Sequence, residues 1–503
     1  MAQDNRDRGP RGGKPQRGGQ SRGNQQRGGQ GNKPPQKAGQ SGQGRQRGGG
    51  QRRRTDHVDP ARFTAITVLS KVREDGAYAN LVLPKELNKR KLDGRDAAFA
   101  TEITYGTLRS QGLLDAVLSE ASTRPLDEVD GELLDVLRLG AYQLLRTRVS
   151  PHGAVDTAVA AAQKVGHGGA KGFVNAILRR VSEKKEQEWI EIVSPSADTD
   201  PVGHLSMKYS HPRWISEAFA QSLGPAAGEL ADALEADDAR PQVHLVARPG
   251  EITAEELALI SGGEEGPWSP YAVHLESGDP GDLEPVRSGM AAVQDEGSQM
   301  IARALTMAPV IGEDKGRWLD LCAGPGGKAA LIGSVAAIDG AHVDAVEISD
   351  KRAGLIRGSV EKLPVTIHVA DGRNPGLEPG YDRVLVDAPC SGLGSLRRRP
   401  EARWKKSPAD IPALAKLQGE LLASAAELVR PGGIIVYATC SPHIRETRGT
   451  VERALRTLDL EEIDARELVA PMTDVGAGPS VQMWPHRHGT DAMFFSVLRK
   501  PVA

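Results

Sequence analysis

Arg317-Trp318-Leu319-Asp320-Leu321-Cys322-Ala323-Gly324-Pro325-Gly326-Gly327-Lys328 decides the fold of the C-terminal part of this 503-residue chain. An apolar-rich run ends on a glycine-rich turn, and a helical stretch follows it. In a doubly wound sheet the ligand sits outside the carboxyl ends of the strands. Glycines let the backbone approach that ligand, and the helix N-terminus offers free N–H groups. The alternation continues downstream. Val343–Ile348 reads as a second strand, Val365–Ala370 as a shorter third, Arg383–Val386 as a fourth, Gly433–Ala438 as a fifth and Ala492–Leu498 as a closing strand. From residue 291 onward this pattern predicts a parallel, Rossmann-like α/β sheet with helices on both faces.

Acids mark the same strand ends. Glu347 closes the second strand, where a carboxylate can accept ribose hydroxyls. Asp371 follows the third strand and Asp387 the fourth. Ala329 rather than Ser or Thr follows Lys328, so the rim does not read as a nucleotide-diphosphate site. Acids crowded around a cofactor suit a cationic one, such as S-adenosylmethionine with its sulfonium. No metal site is expected.

Two cysteines leave strands at this rim, in Asp387-Ala388-Pro389-Cys390-Ser391-Gly392 and in Tyr437-Ala438-Thr439-Cys440-Ser441-Pro442. A thiolate is polarisable and a good leaving group, which suits attack on an electron-poor ring carbon. Chemistry alone allows either cysteine to be the nucleophile. The third, Cys322, lies in the cofactor turn and fits a buried apolar cysteine.

Upstream, residues 57–190 read as an all-helical bundle. Asp59-Pro60 opens a helix whose Phe63, Ile66, Leu69 and Val72 share one face. Further helices are expected around Ala97–Leu108, Leu133–Leu145, Ala154–Val165 and Gly172–Val181. Residues 191–290 read as a linker and small α/β region, with helices near Pro212–Leu234 and a strand at Val243–Val246. Residues 1–56 form a tail with repeated Arg-Gly-Gly, as in Arg11-Gly12-Gly13 and Arg47-Gly48-Gly49. It lacks the apolar surface to offset its ordering entropy.

Charge divides along the same line. The whole chain carries -2, but residues 1–54 hold 14 basic and two acidic residues (+12), leaving 50 basic and 64 acidic (-14) for the rest. The tail therefore reads as an electrostatic RNA tether or a solubilising arm. Three cysteines cannot staple a chain of this length, and no run of about 18 apolar residues exists. A cytoplasmic protein without a membrane span is expected.

The loop 320–328 and the two cysteine segments resemble the Nop/Sun family of RNA cytosine-C5 methyltransferases. The front half resembles the NusB RNA-binding fold in Asp96–Ala100, Tyr105–Arg109, Leu137–Leu145 and Gly172–Arg180. The order of the two resembles the RsmB/Fmu/Sun-type members of that family over about residues 60–500. Val293–Gln299 and Gly394–Pro400 through Trp404 extend the match.

The resemblance implies that Cys322, Ala323, Gly324, Pro325, Gly326, Gly327, Lys328, Glu347, Asp371 and Asp387 bind S-adenosylmethionine. It implies Cys440 as the nucleophile toward cytosine C6, with Asp387 near the ring. Cys390 acts late, in loss of the C5 proton or in release. The expected partner is rRNA of the small subunit, and the expected state a monomer. Departures are Ala329 in place of threonine, Ile444-Arg445-Glu446-Thr447 where a Glu-Asn-Glu cluster is common, and Asp491-Ala492-Met493 before the two phenylalanines.

An acidic body must hold phosphate through local patches. Arg397, Arg398, Arg399, Arg403, Lys405 and Lys406, with Trp404 to stack on a base, are the expected patch. Other readings are a non-catalytic antitermination factor, a methyltransferase for another RNA such as tRNA, and a DNA cytosine methyltransferase.

Overall fold

The computed structural model describes residues 58–502; the Arg/Gly-rich arm read over residues 1–56 lies outside them. The Asp59 carboxylate accepts the Arg62 N–H at 3.0 Å, and Pro60 starts the helix Pro60–Glu74. Gly94–Arg109, Gly131–Arg146, Pro151–Lys164 and Lys171–Val181 form the other four expected helices. Leu69, Ile103, Leu137 and Leu178 from these helices meet in one buried core. Burying each such side chain contributes about 1.5–3 kcal/mol.

Three more helices complete the bundle: Ala79–Arg90, Gln111–Ala121 and Glu186–Val193. The first two escape a reading by punctuation. Ala79–Arg90 lacks a side-chain cap and carries Pro84 in its interior, while Gln111–Ala121 shares Ser110 with the preceding helix as its boundary.

The middle of the chain is helical first, with Pro201–Lys208, Arg213–Leu223 and Leu230–Asp238, then sheet. Strands β1 (Val243–Ala247), β2 (Glu264–Glu265), β3 (Ala272–Leu275) and β4 (Ala291–Val293) form an antiparallel sheet in the order β2-β3-β1-β4. The strand at Ala291–Val293 belongs to this small sheet, so residue 291 does not open the large one.

The large sheet comprises β5 (Arg317–Asp320), β6 (His342–Val346), β7 (Val365–His368), β8 (Tyr381–Asp387), β9 (Val429–Thr439), β10 (Glu461–Ile463), β11 (Val481–Gln482) and β12 (Phe494–Arg499). Its order is β10-β12-β9-β8-β5-β6-β7, with β11 paired to β12. Strands β5 to β9 are parallel. The Rossmann-like sheet expected from the sequence is present, and its edge is antiparallel: β12 runs antiparallel to β9 and β10 antiparallel to β12.

The sheet is apolar on both faces, as a parallel sheet covered by helices must be. Leu385, Val436 and Val497 pack to one side; Val384, Val386, Ile435 and Tyr437 pack to the other. The chain leaves β5 toward β6 and β7, then returns to the opposite side for β8 and β9. That reversal opens a crevice at the carboxyl ends of β5 and its neighbours. No helix among the described residues is long and apolar enough to cross a membrane.

Candidate active site

The loop after β5 leads into the helix Gly327–Asp339 through Gly326, whose φ of +113° lies in the left-handed region. A Cβ on Gly324 would sit 2.1 Å from a carboxylate oxygen of Glu347. The absence of that atom lets the loop close directly onto the end of β6. Glu347 is buried, accepts the Ser349 N–H at 2.8 Å and pairs with Arg352. Asp371, beyond β7, accepts from the Arg373 backbone at 3.0 Å and its guanidinium at 2.6 Å.

The expected rim divides into two groups. Cys322, Glu347 and Asp371 line one cleft together with Ile348, Arg352 and Pro389. Asp387, at the end of β8, turns instead toward Lys328, whose Nζ donates to it at 2.8 Å. This partly buried ion pair lies beside the cysteines, because β8 and β9 are neighbours in the sheet. The Cys390 and Cys440 sulfurs are 3.4 Å apart, within hydrogen-bonding distance.

The two thiols are driven in opposite directions. The hydrogen bond from Cys390 pulls Cys440 below the usual thiol value; burial and Asp387 oppose this, while Arg399 and Lys328 assist. That same hydrogen bond, then burial, pushes Cys390 well above it. Cys440 is thus the more acidic of the two thiols and the readier to act as a thiolate. Cys322 is pushed well above the usual value by burial and by the charges of Asp320, Asp387 and Glu347.

A residue outside the expected set holds the two cysteine loops. Glu446 is fully buried and accepts the Ser391 N–H at 2.8 Å, the Ser391 hydroxyl, the Ser441 hydroxyl at 2.7 Å and the Gln418 amide at 3.3 Å. Ser391 follows Cys390 and Ser441 follows Cys440, so one carboxylate fixes both. Only its place in the segment that departs from the Glu-Asn-Glu pattern hinted at it. Glu446→Gln turns an amide N–H₂ toward those donors. The expected result is a drop in kcat of about 100-fold, the scale of a misplacement near 1 Å. Alkylation of Cys440 slows in parallel, while cofactor affinity is unchanged.

Residues 304–499 match the family described as 16S rRNA methyltransferase RsmB/F, and residues 59–183 match the NusB family. The ribosomal RNA small subunit methyltransferase B of Klebsiella pneumoniae strain 342 is 32% identical over 450 residues, covering 87% of this chain and 98% of that protein. This chain belongs to the RsmB/F methyltransferase family. A Mycobacterium tuberculosis H37Rv protein named as a methyltransferase, Rv1407, is 56% identical over 452 residues, covering 90% of this chain and 98% of its own length. The solved structure of PH0851 shares the fold, with a TM-score of 0.73 at 24% identity over 88% of this chain and 99% of that one.

As an RsmB/F member the chain is an S-adenosylmethionine-dependent RNA methyltransferase. Its own residues fit that cofactor. Asp320 is fully buried, one of its carboxylate oxygens has no partner among the described residues, and burial with the charges of Asp387 and Glu347 pushes its pKa up to about 7. A site with an orphaned carboxylate oxygen and a Cβ-free approach at Gly324 is short of a cation, which this cofactor carries.

The phosphate patch expected at residues 397–406 needs correcting for the RsmB/F site. Arg397 and Arg398 are spent on Asp295 and Asp491. Arg403 is 0% exposed, bonded to Asp237 and Asp238 and to the carbonyls of Arg109 and Ser210. Lys405 donates to the carbonyls of Gly76 and Ala77. The Trp404 ring lies where a Cβ on Gly112 would meet it at 2.4 Å, so the bundle rather than a base takes its face. Arg403, Trp404 and Lys405 join the helical and catalytic parts, and Arg399 is the member whose charge reaches Cys440.

Proposed function

We propose that this chain methylates C5 of a cytosine in small-subunit rRNA, through a covalent bond between Cys440 and C6. The observation that carries this is the pair of cysteines 3.4 Å apart at the ends of adjacent strands, beside Lys328 and Asp387. A single nucleophile suffices for most covalent catalysis. A second thiol, held protonated, suits a reaction in which the first must be added and then expelled.

Cys322, Ala323, Gly324, Pro325, Gly326, Gly327, Lys328, Glu347, Asp371 and Asp387 form the proposed cofactor site. When bound, S-adenosylmethionine supplies an electrophilic methyl group. Cys440 as thiolate adds to C6, and the ring electrons move to C5, which takes the methyl. Asp387 lies where it can meet the polar edge of the ring. Cys390 acts late, in release: as the C5 proton is lost to solvent and the S–C6 bond breaks, its thiol hydrogen-bonds to the Cys440 sulfur, which leaves as thiolate. The split in thiol acidity supports Cys440 as the attacking group.

A base must leave its stack for a thiol to reach C6, so the target is single-stranded or in a loop. Both cysteines and the cofactor cleft belong to one chain, which suits action as a monomer. An rRNA substrate and three free cysteines suit the cytoplasm. The test is incubation with S-adenosylmethionine and rRNA of the small subunit, followed by nucleoside analysis. Appearance of 5-methylcytosine is expected; a methylated base other than cytosine, or none, overturns the reading.

A further inference from the structure

The cysteine pair is built for a chemistry that methyl transfer does not use. Strands β8 and β9 run parallel with Asp387 opposite Ala438, and Cys390 and Cys440 stand in the loops that leave them. Neighbouring strands lie about 4.7–4.9 Å apart, inside the roughly 4.4–6.8 Å separation of Cα atoms that a disulfide bridges. The loops stay together beyond the strand ends. The Gly394 N–H donates to the Cys440 carbonyl at 2.9 Å, and Glu446 accepts from Ser391 at 2.8 Å and from Ser441 at 2.7 Å. The two sulfurs are 3.4 Å apart. A bond of about 2.05 Å asks them to approach by roughly 1.4 Å, a side-chain movement between strands already at bridging distance.

The pair is also asymmetric in the way that peroxide chemistry requires. The thiolate, not the thiol, attacks a peroxide, and the resulting sulfenic acid is captured by a neighbouring thiol. Cys440 is the more acidic sulfur, through the hydrogen bond from Cys390 and with help from Arg399 and Lys328. Cys390, pushed up by that hydrogen bond and by burial, is the neighbouring thiol. Both side chains are partly exposed, so a small oxidant can reach them. Cys322 lacks this pairing, and burial with the charges of Asp320, Asp387 and Glu347 disfavours its thiolate.

We propose that Cys440 is a site of modification by hydroperoxides and that Cys390 closes on it as a disulfide, which turns methyl transfer off. The loss of methyl transfer rests on the reading of Cys440 as nucleophile given above; the closure does not. The Cys440 thiolate attacks one oxygen of hydrogen peroxide. An S–O bond forms as the O–O bond breaks, the sulfur becomes a sulfenic acid, and the other oxygen leaves as hydroxide. The Cys390 sulfur then attacks the sulfenic sulfur. The S–S bond forms, the S–O bond breaks, and the hydroxyl leaves as water with the Cys390 proton. In sum, two thiols and one hydrogen peroxide give one disulfide and two waters, each sulfur losing one electron to the peroxide. The bond holds both the attacking thiolate and the thiol that assists its release. A dithiol reductant reopens it by exchange, so in a reducing compartment the closed state is transient.

The test treats the full chain with hydrogen peroxide, removes the excess by gel filtration, and reads mass and activity on the same sample. The expected intact mass is lower by two hydrogen atoms. Peptide mapping is expected to join the Cys390 and Cys440 segments and to leave Cys322 a free thiol. Methyl transfer falls in proportion to the joined fraction and returns with dithiothreitol, whereas S-adenosylmethionine affinity is unchanged. In Cys390→Ser no bridge forms. Cys440 advances to the sulfinic acid, which gains two oxygen atoms and is not reversed by dithiothreitol. Unjoined peptides in the wild-type chain overturn the proposal, as does sulfinic acid at Cys440 formed as readily there as in Cys390→Ser. Joined peptides with methyl transfer undiminished leave the closure standing and overturn the reading of Cys440 as nucleophile.

Discussion

Cys440→Ala abolishes methyl transfer to RNA while S-adenosylmethionine still binds with wild-type affinity. The Cys440 side chain is not part of the cleft lined by Cys322, Glu347 and Asp371, so that cleft survives the change. Without a thiolate at C6, C5 of cytosine has no nucleophilic character. Loss of a nucleophile is expected to lower kcat by about 10⁴–10⁶. Cys390→Ala gives the complementary result. The adduct forms but is not released, and a protein–RNA band survives a denaturing gel. If Cys440→Ala traps the adduct and Cys390→Ala does not, the two roles are reversed. The pH dependence carries a sign as well. The hydrogen bond from Cys390 is the foremost cause of the lowered Cys440 pKa, so alkylation of Cys440 in Cys390→Ala shifts to higher pH. An unshifted alkylation profile contradicts the assigned pairing.

Arg403→Leu is expected to destabilise the fold by about 3–5 kcal/mol, the cost of breaking a buried ion pair from one side. Arg403 and Asp237 are both 0% exposed and 2.9 Å apart. The remaining partner of Asp237 is His211 at 2.8 Å, whose pKa is pushed down chiefly by burial, so a neutral imidazole is a weaker partner than the lost guanidinium. Arg403 also ties the carbonyls of Arg109 and Ser210 to the catalytic half. A lowered urea midpoint, with faster proteolysis between the helical bundle and the large sheet, is the result that fits. A midpoint equal to wild type means that the cluster does not hold the halves together.

Arg403 also shows where a sequence misleads. Six cations and a tryptophan in ten residues after a catalytic cysteine have the composition of a phosphate-binding run. Their partners Asp237, Asp295 and Asp491 lie about 100–170 residues away in the chain, so no local pattern reveals that the charges are already satisfied. Glu446 was hidden for the same reason. Its donors Ser391 and Gln418 come from other segments and meet it only when β8 and β9 pair and the helix Ile411–Leu428 packs beside them.

The sequence by itself determined the local grammar. Glycine freedom at 324 and 326, acids at three strand ends and a cysteine after each of two strands follow from residue type and spacing, because backbone conformation and side-chain alternation are short-range properties. Those features sufficed for the parallel core of the sheet, the helical front half and the candidate chemistry. Tertiary structure alone decided which charges are spent. Pairing in the folded chain spent Arg397, Arg398 and Arg403 on distant carboxylates and split the rim acids between cofactor cleft and cysteine pair. Electrostatic satisfaction depends on distance in space and on loss of water, and neither is written in the order of residues.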